Sequence, residues 1–236
     1  MSLKSGLLLL GCSSILGGCA STSPEAYLAE RQVLINKVMS SKACCTSISE
    51  LEYTLIESGP SAEIYHINLN SQVFNINGDN SLVLALELPD DASRIEFRSM
   101  QTTSWDTTGG HFAPVVLQLD SDFNQISKDI YTDFSTNNAM SQWSGINGDL
   151  KLKSETKYLV FYTTQELLTQ RTASYWSGSR SYEVNVPQDV LNKAPLYEKF
   201  SVGFTARPNT PDGKIEVHVC KNGDRSMDQR LSDTCI

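Results

Sequence analysis

Between Ser81 and Asp122 the side chains alternate with a period of two, and that period constrains the fold more than any other feature. Leu82, Leu84, Leu86 and Leu88 alternate with Val83, Ala85 and Glu87, which puts the leucines on one face of a strand. Pro89-Asp90-Asp91 ends the run, because proline cannot donate to a ladder and aspartate favours turns. Ile95 and Phe97 resume the pattern, with Arg94, Glu96 and Arg98 on the other face. After a Thr/Ser/Gly-rich gap, Pro114 to Leu119 reads as a third strand, closed by Asp120-Ser121-Asp122. Three strands with turn residues between them predict the centre of an antiparallel β-domain.

The rest of the chain fits that class. Tyr65 to Leu69 alternates as a strand, and Val73 to Ile76 is a shorter one ended by the turn Asn77-Gly78-Asp79. Ile126 to Tyr131 is expected to pair back on Val115 to Leu119 across Asp120–Asn124. Leu150 to Lys153 leads toward Tyr158 to Thr164, which is apolar on both faces and suits a central strand. Gln165 to Arg171 reads as a helical turn, Ala173 to Arg180 as a polar loop bearing aromatics, and Pro187 to Lys193 as a short helix. Phe200 to Ala206 and Lys214 to Cys220 read as a C-terminal hairpin around Pro211-Asp212-Gly213. About ten short strands favour an antiparallel β-sandwich or jelly-roll-like domain over a barrel. One amphipathic helix of about four turns precedes it, with Ser23 as N-cap, Pro24 at its first position, and Tyr27, Leu28, Leu34, Ile35 and Val38 at helical spacing. Its expected role is a spacer packed on the domain, rather than an oligomerisation helix.

The first residues read as a targeting segment. Lys4 precedes the apolar run Leu7 to Leu16, which is too short to span a bilayer as a helix. Leu16-Gly17-Gly18-Cys19 then resembles a bacterial lipoprotein signal, cleaved so that acylated Cys19 becomes the first residue. The rival is an ordinary secretory signal cut near Ala20; Leu10-Gly11-Cys12 has too little apolar sequence before it. No aspartate follows Cys19, so the expected location is the outer membrane, periplasmic face. Each buried acyl methylene contributes about 0.8 kcal/mol, enough for a multiply acylated Cys19 to hold firmly. The expected organisation is a signal over residues 1–18, a tether and helix over 19–43, and a β-sandwich over 44–236.

An oxidising compartment makes Cys44, Cys45, Cys220 and Cys235 disulfide candidates. Four cysteines allow three connectivities. A Cys220–Cys235 bridge would tie down the polar tail and contribute roughly 3 kcal/mol in the entropic description. Adjacent Cys44 and Cys45 are awkward partners for each other, and cross-pairing between the two ends is the rival. There is no CxxC spacing and the three histidines are scattered, so no zinc site or other metal is expected.

Net charge is −8 with no block of Lys or Arg, which argues against nucleic acid as a partner. The sequence has no Gly-x-Ser-x-Gly, no phosphate-loop or dinucleotide glycine pattern, and no carboxylate pair in a glycosidase setting. No catalytic residue and no cofactor is therefore assigned. His111 reads as a loop histidine after Gly109-Gly110. Asp120 to Asn124 mimics the start of an EF-hand loop, but Gln125 and Tyr131 replace its glycine and glutamate, so a hairpin turn is expected. Trp105, Trp143 and Trp176, with Tyr175, sit among Ser, Thr and Gly. Such aromatics are either platforms for a neutral sugar or lids over the core.

Phe112-Ala113-Pro114-Val115-Val116-Leu117-Gln118-Leu119-Asp120, followed by Tyr158-Leu159-Val160-Phe161-Tyr162-Thr163-Thr164 and the acidic-leucine segment to Leu168, resembles the maltose operon periplasmic protein (MalM) family. Members carry a FAPxVLxLD-type strand and turn and then a YLVxFTT-type strand. The resemblance spans about Leu82 to Arg171, and Cys44-Cys45 through Leu51 looks like lipoprotein relatives. It implies a periplasmic protein tied to maltodextrin uptake and transfers no catalytic residue. The lipoprotein signal, the Cys-bearing C-terminus and the lack of an Ala/Pro-rich extension depart from the family pattern. Two functions follow as expectations: a non-enzymatic lipoprotein that binds maltodextrin or another neutral carbohydrate, or an envelope lipoprotein that binds a protein partner.

Overall fold

The computed structural model describes residues 24–57, 61–100, 109–132, 145–176 and 203–221. The expected tether, the Pro187–Lys193 helix, Cys19 and Cys235 lie outside them. Helix α1 (Pro24–Ser40) starts on proline, with Glu25 in its first turn and Lys37 in its last, both complementing the helix dipole. Ile35 and Val38 are buried, while Leu28 and Val33 remain exposed. The helix thus packs on the domain through one narrow stripe. Its end is held by Asn80, whose amide donates to Met39 O (3.1 Å) and Ser41 O (2.6 Å).

Six strands form one sheet: β1 (Thr54–Leu55), β3 (Gln72–Ile76), β4 (Asp79–Glu87), β6 (Val115–Leu119), β7 (Gln125–Ile130) and β9 (Tyr158–Tyr162). Its order is β1-β4-β9-β6-β7, with β3 also paired to β4. Four strands form the second sheet, in the order β2-β12-β5-β8: β2 (Glu63–Ile67), β5 (Ala92–Met100), β8 (Gly145–Lys151) and β12 (Gly213–Lys221). β10 (Arg171–Trp176) and β11 (Gly203–Pro208) make a separate ribbon, and α2 (Gln165–Thr169) follows β9. The all-β sandwich behind one N-terminal helix stands.

Local chemistry sets the turns. Asn77 (φ 56°) and Gly78 (φ 100°) occupy the left-handed region, so β3 and β4 meet through a two-residue turn with Ile76 opposite Asp79. The Asp120–Asn124 turn joins β6 to β7 as expected. Thr164 caps α2 by accepting the Leu167 N–H at 3.2 Å.

The core lies between the sheets. Leu82, Leu86, Leu88, Phe161 and Leu159 from the first meet Ile95, Phe97, Ile215, Val217 and Val219 from the second. Phe97 stands edge-on to Phe161 with centroids 5.2 Å apart. Opposite Phe97 in β8 is Gly148, where a Cβ would come within 2.2 Å of the Phe97 ring. A second apolar cluster covers the far face of the six-stranded sheet.

The Ser81–Asp122 strands surround the core as expected, with β9 between β4 and β6 and with β5 in the other sheet, and Val83 and Ala85 of β4 are buried too, in the second cluster. Two expectations need correction. The C-terminal hairpin does not form. β11 pairs with β10, while β12 inserts between β2 and β5, where its apolar face completes the core. Ala173 to Trp176, read as loop, are therefore strand.

The disulfide pattern also differs. Cys44 and Cys45 are bonded to each other across a Cα separation of 3.8 Å, so cross-pairing to the C-terminal cysteines is excluded. Cys220 is disulfide-bonded as well, and its partner lies outside the described residues.

Candidate functional site

β5 runs from one end of the sandwich to the other, so its nine residues separate two ends by roughly 27 Å. At its far end Met100 pairs with Gly145, the first residue of β8, and with Lys214 near the start of β12. Trp105 and Trp143 lie outside the described residues. The residues bounding their segments, Met100 and Gly145, are direct cross-strand partners. A Cβ on Gly145 would meet Ser99 O at 2.4 Å, so only glycine fits that close pairing. The ribbon is rooted at the same end, because Arg171 pairs with Pro208 and Asn209 follows. Tyr175 and Trp176 sit at its other end, opposite Phe204 and Gly203.

A buried polar junction fills this end. Gly109-Gly110 lets the backbone sink against α1 and the 208–210 segment: a Cβ at Gly110 would meet Thr210 Cγ2 at 2.3 Å and the Tyr27 hydroxyl at 2.6 Å. His111 follows, outside the named strands as its reading as a loop histidine expects, but fully buried. Its N–H donates to Pro208 O (3.3 Å), and its carbonyl accepts from Thr210 N–H (2.8 Å), making a bridge with Asn209. The Asn209 amide donates to Leu167 O at 2.9 Å and accepts from the Thr172 hydroxyl at 2.7 Å. Arg31 reaches in from α1: Nε donates to Asn209 O at 2.6 Å and Nη2 to Leu168 O. Burial depresses the Arg31 pKa, partly offset by Tyr27. Burial likewise raises the pKa of Asp212, whose carbonyl accepts the Thr210 hydroxyl at 2.7 Å. The Ser99 hydroxyl donates to Phe112 O at 2.5 Å.

Chemically the junction is a clamp. These hydroxyl and amide groups are committed to protein acceptors, so they fix backbone geometry. They tie α1, α2, the ribbon and the start of β12 to the sheet end from which the tryptophan-bearing segments leave. Sequence reasoning missed Arg31, Thr172, Asn209 and Thr210. The one signal available was the Gly109-Gly110 pair, which marks a close backbone approach.

The opposite end is closed by short turns. They frame a recess of about 480 Å³ whose lining includes Asp90, Ser93, Ser121, Lys153 and Lys157. Lys157 Nζ is held by Asp90 (3.0 Å), Glu87 (3.4 Å) and Leu88 O (3.3 Å). Asp120 accepts the Asn124 side-chain amide (3.0 Å) and the N–H groups of Asn124 (2.8 Å) and Asp122 (2.9 Å), which together keep its carboxyl below the usual range. Phe123, at φ 63°, stacks on Tyr158 with centroids 4.5 Å apart. Among the described residues no three His, Cys, Asp or Glu side chains gather as a metal site, and no helix is long and apolar enough to cross a membrane.

No family model, curated protein or solved structure matches this chain.

Proposed function

We propose that this protein is a non-catalytic lipoprotein of the MalM type, anchored through acylated Cys19 on the periplasmic face of the outer membrane, that binds maltodextrin or a related neutral carbohydrate. The observation that carries the reading is the Met100–Gly145 pairing, which brings the boundaries of the Trp105 and Trp143 segments to one register position. The polar clamp beside them makes that end a rigid base for adaptable aromatic contacts. The two stretches that resemble the family include β6 and β9, which are neighbours in the six-stranded sheet.

Calorimetric titration of maltodextrin into the soluble chain lacking Cys19 tests it. Binding should be weak and insensitive to salt, with each indole contact contributing on the order of 1 kcal/mol. Trp105→Ala, Trp143→Ala and Trp176→Ala should each weaken it without changing the melting temperature. If the substitutions lower the melting temperature and no sugar titrates, the aromatics are lids.

The second reading, a lipoprotein that binds a protein partner, is favoured by the strand edges. β7 and β2 are terminal strands of their sheets, with Ile130 57 % and Ile64 52 % exposed. Such edges accept an added strand from another chain. Cross-linking from Ile130 or Ile64 positions to one envelope protein would support it.

A further inference from the structure

We propose that Cys44–Cys45 is a thiol–disulfide exchange site, and that its redox state decides whether the 41–53 segment stays wrapped around the β3 edge of the six-stranded sheet. Val38 lies in the cluster between the sheets, whereas Leu51, with Cys45, Ile48 and Tyr53 packed beside it, belongs to the cluster on the far face. The chain therefore crosses from one face of the sheet to the other between these residues. The crossing runs past β3: Cys44 N–H donates to Val73 O at 2.8 Å. Further on, the Gln72 side chain accepts from Glu52 N–H (2.8 Å) and donates to Glu52 O (2.9 Å). One of these bonds pairs a backbone group on the β3 edge, Val73 O, and the others tie the segment to the Gln72 side chain of the same strand.

A bridge between adjacent residues closes no long loop, so it adds little to global stability through chain entropy. Its effect is local, on the one peptide unit where the chain turns over the edge. The hydrogen bonds flanking that unit are exposed: Gln72 with Glu52, and Glu50 with Thr46 and Ser47. Leu51 anchors the far end of the segment in the apolar cluster, but the turn before it, from Ser41 to Glu50, is held largely by exposed hydrogen bonds, and such a turn opens readily once its covalent constraint is gone. The two disulfide sites also differ in access. Cys44 is exposed, whereas Cys220 is 1 % exposed. An exposed bridge is the one open to exchange.

The co-reactant is a dithiol reductant, either a small molecule or a protein with two active thiols. One of its thiolates attacks Cys44 Sγ. A mixed disulfide forms, and the electron pair of the old S–S bond leaves on Cys45 Sγ, which takes up a proton. The second reductant thiolate attacks the first reductant sulfur, and Cys44 Sγ leaves and is protonated. Two electrons and two protons pass to the protein, and the reductant becomes a disulfide.

The test uses the folded full chain. Dithiothreitol is titrated in, freed thiols are blocked with labelled iodoacetamide, and each cysteine is mapped. Trypsin cleavage after exposed Lys42 is followed in parallel. Cys44 and Cys45 should be labelled while Cys220 stays oxidised, with cleavage after Lys42 rising about tenfold. The C44S/C45S double variant should show the same fast cleavage without reductant and no response to it. Earlier labelling of Cys220, free thiols at both positions before reduction, or unchanged Lys42 cleavage in reduced protein and double variant alike would overturn the proposal.

Discussion

The outward faces of the two sheets are built from opposite materials. On the six-stranded sheet Val83, Ala85, Val115, Leu117 and Val160 point away from the other sheet, yet they are buried with Leu51 and Leu167. On the four-stranded sheet the corresponding residues are Arg94, Glu96 and Arg98 of β5, with Glu216 and His218 opposite on β12. There charge is neutralised across strands by Arg98 with Glu216 at 2.5 Å and Arg94 with Asp149 at 3.8 Å, and along β5 itself by Arg94 with Glu96 at 3.0 Å. Glu96 stands directly opposite Asp149, and Arg94 opposite Lys151, so the diagonal Arg94–Asp149 contact offsets two like-charge pairs. One sheet is thus a middle layer with apolar cover on both sides. The other carries charge on its far face, where Glu96 and His218 are nonetheless buried and the ion-paired partners are in register.

The comparison breaks most sharply at Val160, which is fully buried on the outward face of β9, between Ala85 and Leu117. Val160→Asp places an unpaired carboxylate there and should cost on the order of 4 kcal/mol in urea unfolding. A loss under about 1 kcal/mol would mean that this face is not closed at all. On the four-stranded sheet, Glu216→Gln keeps the shape and removes one charge of a partly buried pair. A loss of about 1 kcal/mol is expected, shrinking as salt is added. An effect as large as that of Val160→Asp would erase the distinction between the faces.

The smallest effect separates a turn of the six-stranded sheet from the body of either sheet. Asp120 is held below the usual carboxylate range, chiefly by the Asn124 amide and the N–H groups of Asn124 and Asp122. Because its folded pKa is depressed, its stabilising share is present above the unfolded value near 3.9 and is lost as pH falls through the folded value. Acidification below the free-aspartate range should therefore loosen residues 120–124 while the two sheets hold. Proton NMR should show the Asn124 amide resonance moving at a pH below that of a free aspartate, while the β5 and β12 amides stay put. A free-aspartate midpoint would remove the turn's special status.

Legibility followed the same division. β5 and β12 alternate apolar with charged residues, so their inner faces could be read directly. β4 alternates leucine with valine and alanine, and the smaller residues looked outward because nothing in the local pattern announces a second apolar cover. That cover comes from Leu51 and Leu167, far away in sequence. β12 was readable as a strand but not as the partner of β2 and β5, since a turn signal at Pro211-Asp212-Gly213 suggested the nearer strand. Local turn chemistry succeeded where only two or three residues decide, at Asn77-Gly78 and at Asp120–Asn124. The polar clamp was nearly invisible, because Arg31 and Asn209 meet main-chain carbonyls, and a carbonyl leaves no mark on residue identity.

The position of β12 has a consequence for how the chain acquires its structure. Gly213 pairs with Ile67 and Val219 with Ile95, so the strand that joins β2 to β5 is the last described in the chain. While synthesis is incomplete, β2 and β5 have no strand between them. The four-stranded sheet can zip only after roughly nine-tenths of the residues have emerged, and these pairings span long sequence separations. Folding from the N-terminus onward would leave Ile67, Ile95 and Phe97 uncovered for most of that time. A chain wired this way closes its four-stranded sheet late and as a whole, with the pairing of its last described strand.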